Sequence, residues 1–291
     1  RPRCDSSVMR HTGDTHSMAV VERLTHPEEA AELFAGWEET MVYSVLEGVL
    51  GAVYAVMDKG LPVSAVCIAA DFAFFTGIPS PVLLTYDYGK PFLILTPRDR
   101  AWQDCMEKTL LPEHRTLPDA PWDMPLAGPY GKVQRTIRYA IRKDTVFDRA
   151  RLIDIRDHVP AGYALHPIGK AEYSTCQSMA WSRDFVSNYP TYAAYRAYAR
   201  GYVIRECKND TIVAGASAYT HYSGGIELEV DTRKEHRNRG LATVCAAALI
   251  LDCLDNGLYP SWDAANLTSV HIAERLGYTM AHPYTVFYLL Q

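Results

Sequence analysis

Residues 227–254 hold the most restrictive pattern in the chain. Glu227, Leu228, Glu229, Val230, Asp231 and Thr232 alternate acidic and apolar side chains, as a strand with two unlike faces does. A basic turn follows, running from Arg233 through Lys234, Glu235, His236, Arg237, Asn238 and Arg239 to Gly240. Residues 241–254 then form an Ala- and Leu-rich helical segment. A strand, a glycine-bearing turn and a helix N-terminus in that order make an anion site, because the first N–H groups of a helix have no internal partner. Gly240 suits such a turn, since a missing Cβ lets backbone approach a pyrophosphate closely. An ordinary strand-to-helix turn is the competing reading, and residues further along decide between them.

The totals bound the rest. At 291 residues the chain can hold two domains, each with a sizeable core. A net charge of −5 gives no support for nucleic-acid binding. Seven scattered cysteines without a Cys-x-x-Cys pair suggest a reduced, cytoplasmic protein with neither a disulfide framework nor a structural metal. No apolar run reaches the roughly 18 residues of a membrane span, so no membrane partner is expected. Residues 1–17 are polar and lack an apolar core segment, which reads as a flexible tail with Met18 as a natural start.

The first half carries no obvious chemistry. Residues 26–45 read as one or two amphipathic helices, and residues 52–57 and 63–69 as a hairpin across Asp58-Lys59-Gly60. A short strand at 92–95 and a helix at 101–110 follow, then a proline-rich loop over 112–129. Asp71, Phe72, Phe74, Phe75 and Trp102 are candidates for a pocket wall, although aromatic residues so spaced are more often core. Residues 132–143 read as a half-exposed strand containing Arg135 and Arg138.

The second half is more regular. Residues 163–167 form a strand, 170–179 and 191–199 helices, 202–207 and 212–219 a hairpin, and 226–232 a third strand. The helix from Gly240 stops at Gly257, residues 259–263 form a strand, residues 266–276 a helix ended by Gly277, and 286–290 a last strand.

This order resembles the core of the GNAT (GCN5-related N-acetyltransferase) superfamily over residues 160–291. Two motifs carry the resemblance. Arg237-x-x-Gly240-x-Ala242 is similar to the family's pyrophosphate loop, and Asn266-x-x-Ser269 with Leu276-Gly277-Tyr278 is similar to its later helix. The tract Leu258-Tyr259-Pro260-Ser261-Trp262-Asp263-Ala264, with Trp37-Glu38-Glu39-Thr40-Met41 and Arg138-Tyr139-Ala140 upstream, resembles the zwittermicin A resistance acetyltransferase subfamily. The fold expected is α/β (α+β): a mixed, mostly antiparallel sheet flanked by helices. Residues 156–291 would form the GNAT domain. Residues 18–155 would form an N-terminal α+β domain, a degenerate GNAT-like copy by fold analogy.

The resemblance implies acetyl-CoA as donor, a small-molecule primary amine as acceptor, and no metal, with a homodimer left open. Backbone groups of Val230, Asp231 and Thr232 would hold the pantetheine arm. Arg237, Asn238, Arg239, Gly240, Leu241 and Ala242 would cradle the phosphates, while Asn266 and Ser269 complete the groove. Arg233 and Lys234 add charge, but at least half of the four basic residues here should simply be solvated. A protonated amine with a pKa near ~10 costs on the order of 4 kcal/mol to deprotonate at neutral pH, so a base is useful. Glu227 and Glu229 share a strand face with Asp231, and Glu229 is slightly favoured. Asp263 is a further candidate for holding the amine. Relatives often carry a Tyr acid seven residues after the Asn, where this chain has Ala273. His271 is expected on the opposite face and Tyr278 in the packing, so the general acid is unassigned. A protein or peptide acetyltransferase and a non-catalytic acyl-CoA sensor are the alternatives.

Overall fold

The computed structural model describes residues 19–111 and 126–291. The expected tail of residues 1–17, the start at Met18 and most of the proline-rich loop lie outside the described residues. The first half runs β1 (Val21–Arg23), a 3-10 turn at Pro27–Ala30, α1 (Ala31–Phe34), α2 (Thr40–Leu46), β2 (Ala52–Asp58), β3 (Leu61–Ala69) and β4 (Phe72–Gly77). It continues through α3 (Pro81–Thr85), β5 (Phe92–Pro97), α4 (Arg100–Leu110), β6 (Leu126–Gly128), β7 (Gly131–Ile141) and α5 (Arg149–Asp157). The second half runs β8 (Tyr163–Pro167), α6 (Lys170–Ser178), α7 (Tyr192–Tyr198), β9 (Gly201–Glu206), β10 (Thr211–Tyr222) and β11 (Gly225–Thr232). It ends with α8 (Leu241–Asp255), β12 (Tyr259–Ser261), β13 (Asp263–Ala264), α9 (Leu267–Arg275) and β14 (Met280–Leu290).

Local chemistry explains several boundaries. The hairpin between β2 and β3 turns on Lys59 and Gly60, both at positive φ, as a two-residue turn between right-twisted strands requires. The Asp99 carboxylate caps α4 by accepting from the Trp102 N–H at 3.0 Å. The helical stretch expected over 26–45 is broken into three pieces, with Gly36 at φ +75° between α1 and α2.

The two halves repeat one arrangement. Strands β1 to β4 pair antiparallel in sequence and β5 joins parallel to β4, across α3. Strands β8 to β11 do the same, and β12 joins parallel to β11, across α8. The crossovers differ. Pro81 begins α3, which spans five residues, whereas α8 spans fifteen. Prolines at 79 and 81 also remove two N–H donors, so the first crossover offers little to an anion.

The sheets exchange strands across the boundary expected near residue 156. The first sheet is ordered β1-β2-β3-β4-β5-β14-β7-β13, and the second β12-β11-β10-β9-β8. The strand expected over 259–263 is two strands: β12 stays with β11, and after Trp262 the chain crosses to pair β13 with β7. The last strand, expected to complete the second half, inserts between β5 and β7 of the first sheet and starts six residues earlier than the sequence pattern suggests. Val286, Phe287 and Leu289 of β14 are buried there. β14 gives β5 and β7 the neighbour each would otherwise lack.

Three apolar clusters fill the layers. On one face of the first sheet, Phe75, Leu95, Trp102, Met106, Leu110 and Phe287 pack together. On the other, α1 and α2 cover it with Phe34, Met41, Val42 and Val45, and Tyr219 of β10 joins them, so α2 bridges the halves. The largest cluster surrounds α8, which is apolar on every side and correspondingly buried except near its C-terminus. No helix among the described residues is long and apolar enough to cross a membrane.

Candidate active site

The parting of β12 from β11 creates the site. Their parallel pairing ends at Glu227 opposite Ser261, because the next strand residue, Asp263, belongs to the other sheet. From Leu228 to Thr232 the edge of β11 away from β10 therefore has no strand partner. Two cavities occupy that opening.

The first is a groove of about 620 Å³, lined by Val230, Asp231, Thr232, the loop from His236 to Gly240, the start of α8, and α9. The α8 N-terminus has no side-chain cap. Its orphan N–H groups thus point into a groove, at the positive end of a long buried helix. Asn238 and Gly240 both adopt the left-handed conformation, with φ +62° and +75°. Nothing lies within 4 Å of where a Cβ on Gly240 would stand, so the loop is open to a ligand rather than packed. Such a cradle of backbone N–H groups fits a pyrophosphate.

Side chains of the loop are less free than the sequence suggests. Arg237 donates to the Thr232 carbonyl at 3.1 Å and lies 3.7 Å from Asp231. Arg239 donates to the Tyr163 hydroxyl at 2.7 Å. The Asn266 side-chain oxygen caps α9 by accepting from the Ser269 N–H at 2.9 Å, and Ser269 Oγ accepts from the Trp262 indole at 3.1 Å. These bonds fix the far wall of the groove.

The second cavity, of about 260 Å³, adjoins the groove at Val230, Trp262, Ala265 and Ser269. Both halves of the molecule line it: Asp71, Phe72, Phe92, Ile94 and Arg138 from the first, Asp184, Tyr219 and Glu229 among those from the second. Burial, followed by the charges of Asp184 and Asp231, pushes Glu229 up to about 8 against the opposing effect of Arg138. Burial and then Asp184 also raise Asp71, and burial raises Asp184 despite its bond to Ser187. A cavity with three carboxylates, one held near neutrality, can take a proton from a cationic guest and attract that guest in the first place.

The other expected residues fall elsewhere. Glu227 is buried, at 3% exposure, and accepts from the Thr40 hydroxyl at 2.5 Å, on the first-half side of the strand. Asp263 borders the cavity but is committed: its Oδ2 accepts from Arg138 Nε and Nη2, each at 2.8 Å, and its Oδ1 accepts from the Tyr284 hydroxyl at 2.7 Å. His271 lies along the groove with Thr268, Ile272 and Arg275, not on the opposite face. Thr268, His271, Ile272 and Arg275 are spaced three and four residues apart, so they share one face of α9. Ala273 is fully buried in the core, so a tyrosine there would meet packed side chains and not the groove. Tyr278 donates to the Pro260 carbonyl and is indeed a packing residue. Of the aromatic candidates in the first half, Phe72 lines the cavity, while Phe74, Phe75 and Trp102 are core.

Asp184, Tyr219 and Arg138 were not legible as site residues. Asp184 sits within a 3-10 turn without periodic signal, and Arg138 reads as one more charge on a half-exposed strand. Only the tertiary fold brings them together. Among the described residues, no group of three or more His, Cys, Asp or Glu side chains is arranged to hold a metal ion.

Comparison with known proteins gives the fold and the family. The family model described as GNAT acetyltransferase matches residues 31–120 and 116–287. A solved GCN5-related N-acetyltransferase-like protein from Streptococcus suis is 38% identical, with a TM-score of 0.78 over 90% of this chain and 97% of that one. A GCN5-related N-acetyltransferase from Sphaerobacter thermophilus, 10% identical, shares the fold with a TM-score of 0.53 over 92% of this chain and 94% of that one. The uncharacterized N-acetyltransferase YdfB of Bacillus subtilis is 25% identical over 134 residues, 45% of this chain and 49% of that protein. The chain thus spans about half the length of the curated relative it matches. Matched along nearly all of its described length, the chain belongs to the GNAT acetyltransferase family.

Proposed function

We propose that this protein is an acetyl-CoA-dependent N-acetyltransferase acting on a primary amine of a small polar molecule. The observation that carries the reading is the junction of two cavities at Val230 and Ser269. The groove there offers an uncapped helix N-terminus, and the adjoining cavity offers Glu229. The loop of residues 237–242 would hold the donor's phosphates, and the unpaired edge of β11 its pantetheine arm. When bound, acetyl-CoA supplies the activated acetyl group. A backbone N–H near Val230 would polarise the acetyl carbonyl.

Glu229 takes the proton of the acceptor ammonium. At about 8 its proton affinity stands roughly two pKa units below that of an amine near ~10, so direct transfer costs about 3 kcal/mol. Asp71 and Asp184 hold the cation in place. Ser269, bonded to Trp262 at the junction, would lie beside the donor sulfur.

An acceptor site walled by both halves and of about 260 Å³ favours a small amine over a protein chain. The resemblance to the zwittermicin A resistance subfamily supports an aminopolyol, with a role in antibiotic resistance. Described cysteines 67, 105, 176, 207, 245 and 253 are all free, which supports a reducing, cytoplasmic setting. A CoA-release assay against polyamines, aminoglycosides and aminopolyols tests the reading. Turnover on one class supports it. Tight acetyl-CoA binding with no turnover on any amine would show a sensor instead.

A further inference from the structure

Behind the Arg138–Asp263 pair lies a third cavity, of about 520 Å³. Residues 36–39, the end of β5, the end of β7 and the start of β14 wall it, and Asp263 borders both this cavity and the one holding Glu229. Two of its lining residues carry buried atoms without a hydrogen-bond partner. Glu39 is 8% exposed and its Oε1 is unpartnered; Thr96 is 3% exposed and its Oγ1 is unpartnered. Leaving two such atoms unsatisfied is costly, and their joint presence on one cavity wall points to a ligand.

Charge around Glu39 specifies what the ligand must be. Glu227 on β11, Asp263 on β13 and Lys143 just after β7 act on it directly. Arg138 on β7 belongs to the same cluster through its pair with Asp263. Away from the solvent-exposed rim, where Glu38 and His282 also line the cavity, three carboxylates thus face two cations, one positive charge short. Without a guest a proton fills the gap, since burial and then Glu227 push Glu39 up to about 8. Tyr43 on α2, Cys67 on β3 and Tyr284 on β14 are also held toward their neutral forms, so they supply no charge. The rim cations are engaged elsewhere. Arg98 lies over the Trp37 ring and donates to the Phe34 and Ala35 carbonyls, and Arg142 is paired with Asp144.

We infer that this cavity binds a primary ammonium group, held by Glu39 and Thr96, at a site separate from the acceptor cavity around Glu229. An ammonium brings three N–H donors to two orphan acceptors and the missing unit of charge. An anion would meet the carboxylates, and a divalent metal would meet Lys143 and Arg138. On binding, the Glu39 carboxyl gives its proton to solvent and its carboxylate pairs with the incoming ammonium. Binding therefore tightens as pH rises toward 8, by about tenfold per unit while Glu39 starts protonated.

Titration calorimetry with putrescine on the Glu229→Gln protein, in phosphate and in HEPES at pH 7, reads affinity and proton release together, and 1,4-butanediol is the uncharged control. This site should bind putrescine with release of close to one proton and should not bind the diol. Adding Glu39→Gln should weaken putrescine at least tenfold and abolish proton release; adding Thr96→Val should weaken it several-fold with release intact. If Glu39→Gln does not fold, the Glu229→Gln protein decides alone: affinity rising about tenfold from pH 6.5 to 7.5 supports the site. Unchanged binding in the Glu39→Gln protein, a flat pH dependence, or putrescine no better than butanediol would overturn it. An ammonium that is the far end of the acceptor would compete with turnover in the wild type, whereas a separate amine would alter turnover without competing.

Discussion

Arg138 of β7 and Asp263 of β13 tie the two halves of the chain together within the first sheet, at the wall between the cavities, two guanidinium nitrogens at 2.8 Å from one carboxylate oxygen. Both side chains are more than nine-tenths buried. Burial works to lower the Arg138 pKa, and Asp263 outweighs it, so the arginine stays charged. Removing Asp263 alone leaves that charge without its counter-ion. Asp263→Ala should cost about 3–5 kcal/mol in denaturant unfolding, and the double change Arg138→Met with Asp263→Leu should recover most of it. Equal losses in the single and double variants would mean that the pair serves packing rather than charge balance.

Glu229 sets the expected pH dependence of turnover. Its carboxylate form accepts the proton, so acetyl transfer should rise with pH to a midpoint near 8. Glu229→Gln should lower turnover by roughly 10²–10⁴-fold and flatten the profile, with high pH restoring part of the rate. Asp184→Asn removes a neighbouring negative charge and should move the midpoint downward. A midpoint that ignores both changes would take the base role from Glu229.

The same carboxyl has a predictable effect on stability. Its folded pKa lies above the unfolded value, so the folded state binds more protons between about 4.5 and 8. Stability from this group is complete below that window and lost as pH climbs through it. Glu229→Gln should therefore be more stable than wild type at pH 8, on the order of 4 kcal/mol, and level with it near pH 4.5. Thermal melts at the two pH values check the sign.

Gly240 separates strain from charge. With φ at +75° and open space where a Cβ would stand, Gly240→Ala should cost about 1 kcal/mol of stability through backbone conformation alone. Gly240→Glu bears the same strain and adds a negative charge at the helix N-terminus. Acetyl-CoA affinity should fall at least tenfold more for Glu than for Ala, as measured by calorimetry. Equal affinities would place the phosphates elsewhere.

Phe287 tests the strand exchange. It is fully buried on β14, opposite Leu95 of β5 and Arg135 of β7. Phe287→Ala should cost about 3–5 kcal/mol. Because β14 also anchors the end of the second half, unfolding followed by Trp102 and by Trp262 fluorescence should shift together. Separate transitions would mean that the halves fold independently.

What the sequence revealed follows from the range of the interactions involved. The alternating strand from Glu227, the turn at Gly240, the Asn266 cap and the stop at Gly277 are local signals, and each stands where expected. The sheet that β14 joins is decided by partners nearly 200 residues away, and its own pattern suits either sheet. Glu39, Lys143 and Glu227 meet for the same reason: charges on three distant elements converge only after folding. Ala273 misled differently. Counting seven residues from Asn266 lands on a position that faces the core, so its side chain says nothing about proton delivery.

The place of β14 also fixes the order of events during synthesis. Strands β5 and β7 are made early, yet the ladder between them closes only after residues 280–290 have been translated. The first half therefore waits, with two open edges, for nearly the entire remaining sequence. Such a topology folds slowly and is most vulnerable to aggregation while the chain is incomplete. Slowing translation in the second half should lower the soluble yield, while a tandem of separately expressed halves should fail unless residues 280–290 travel with the first.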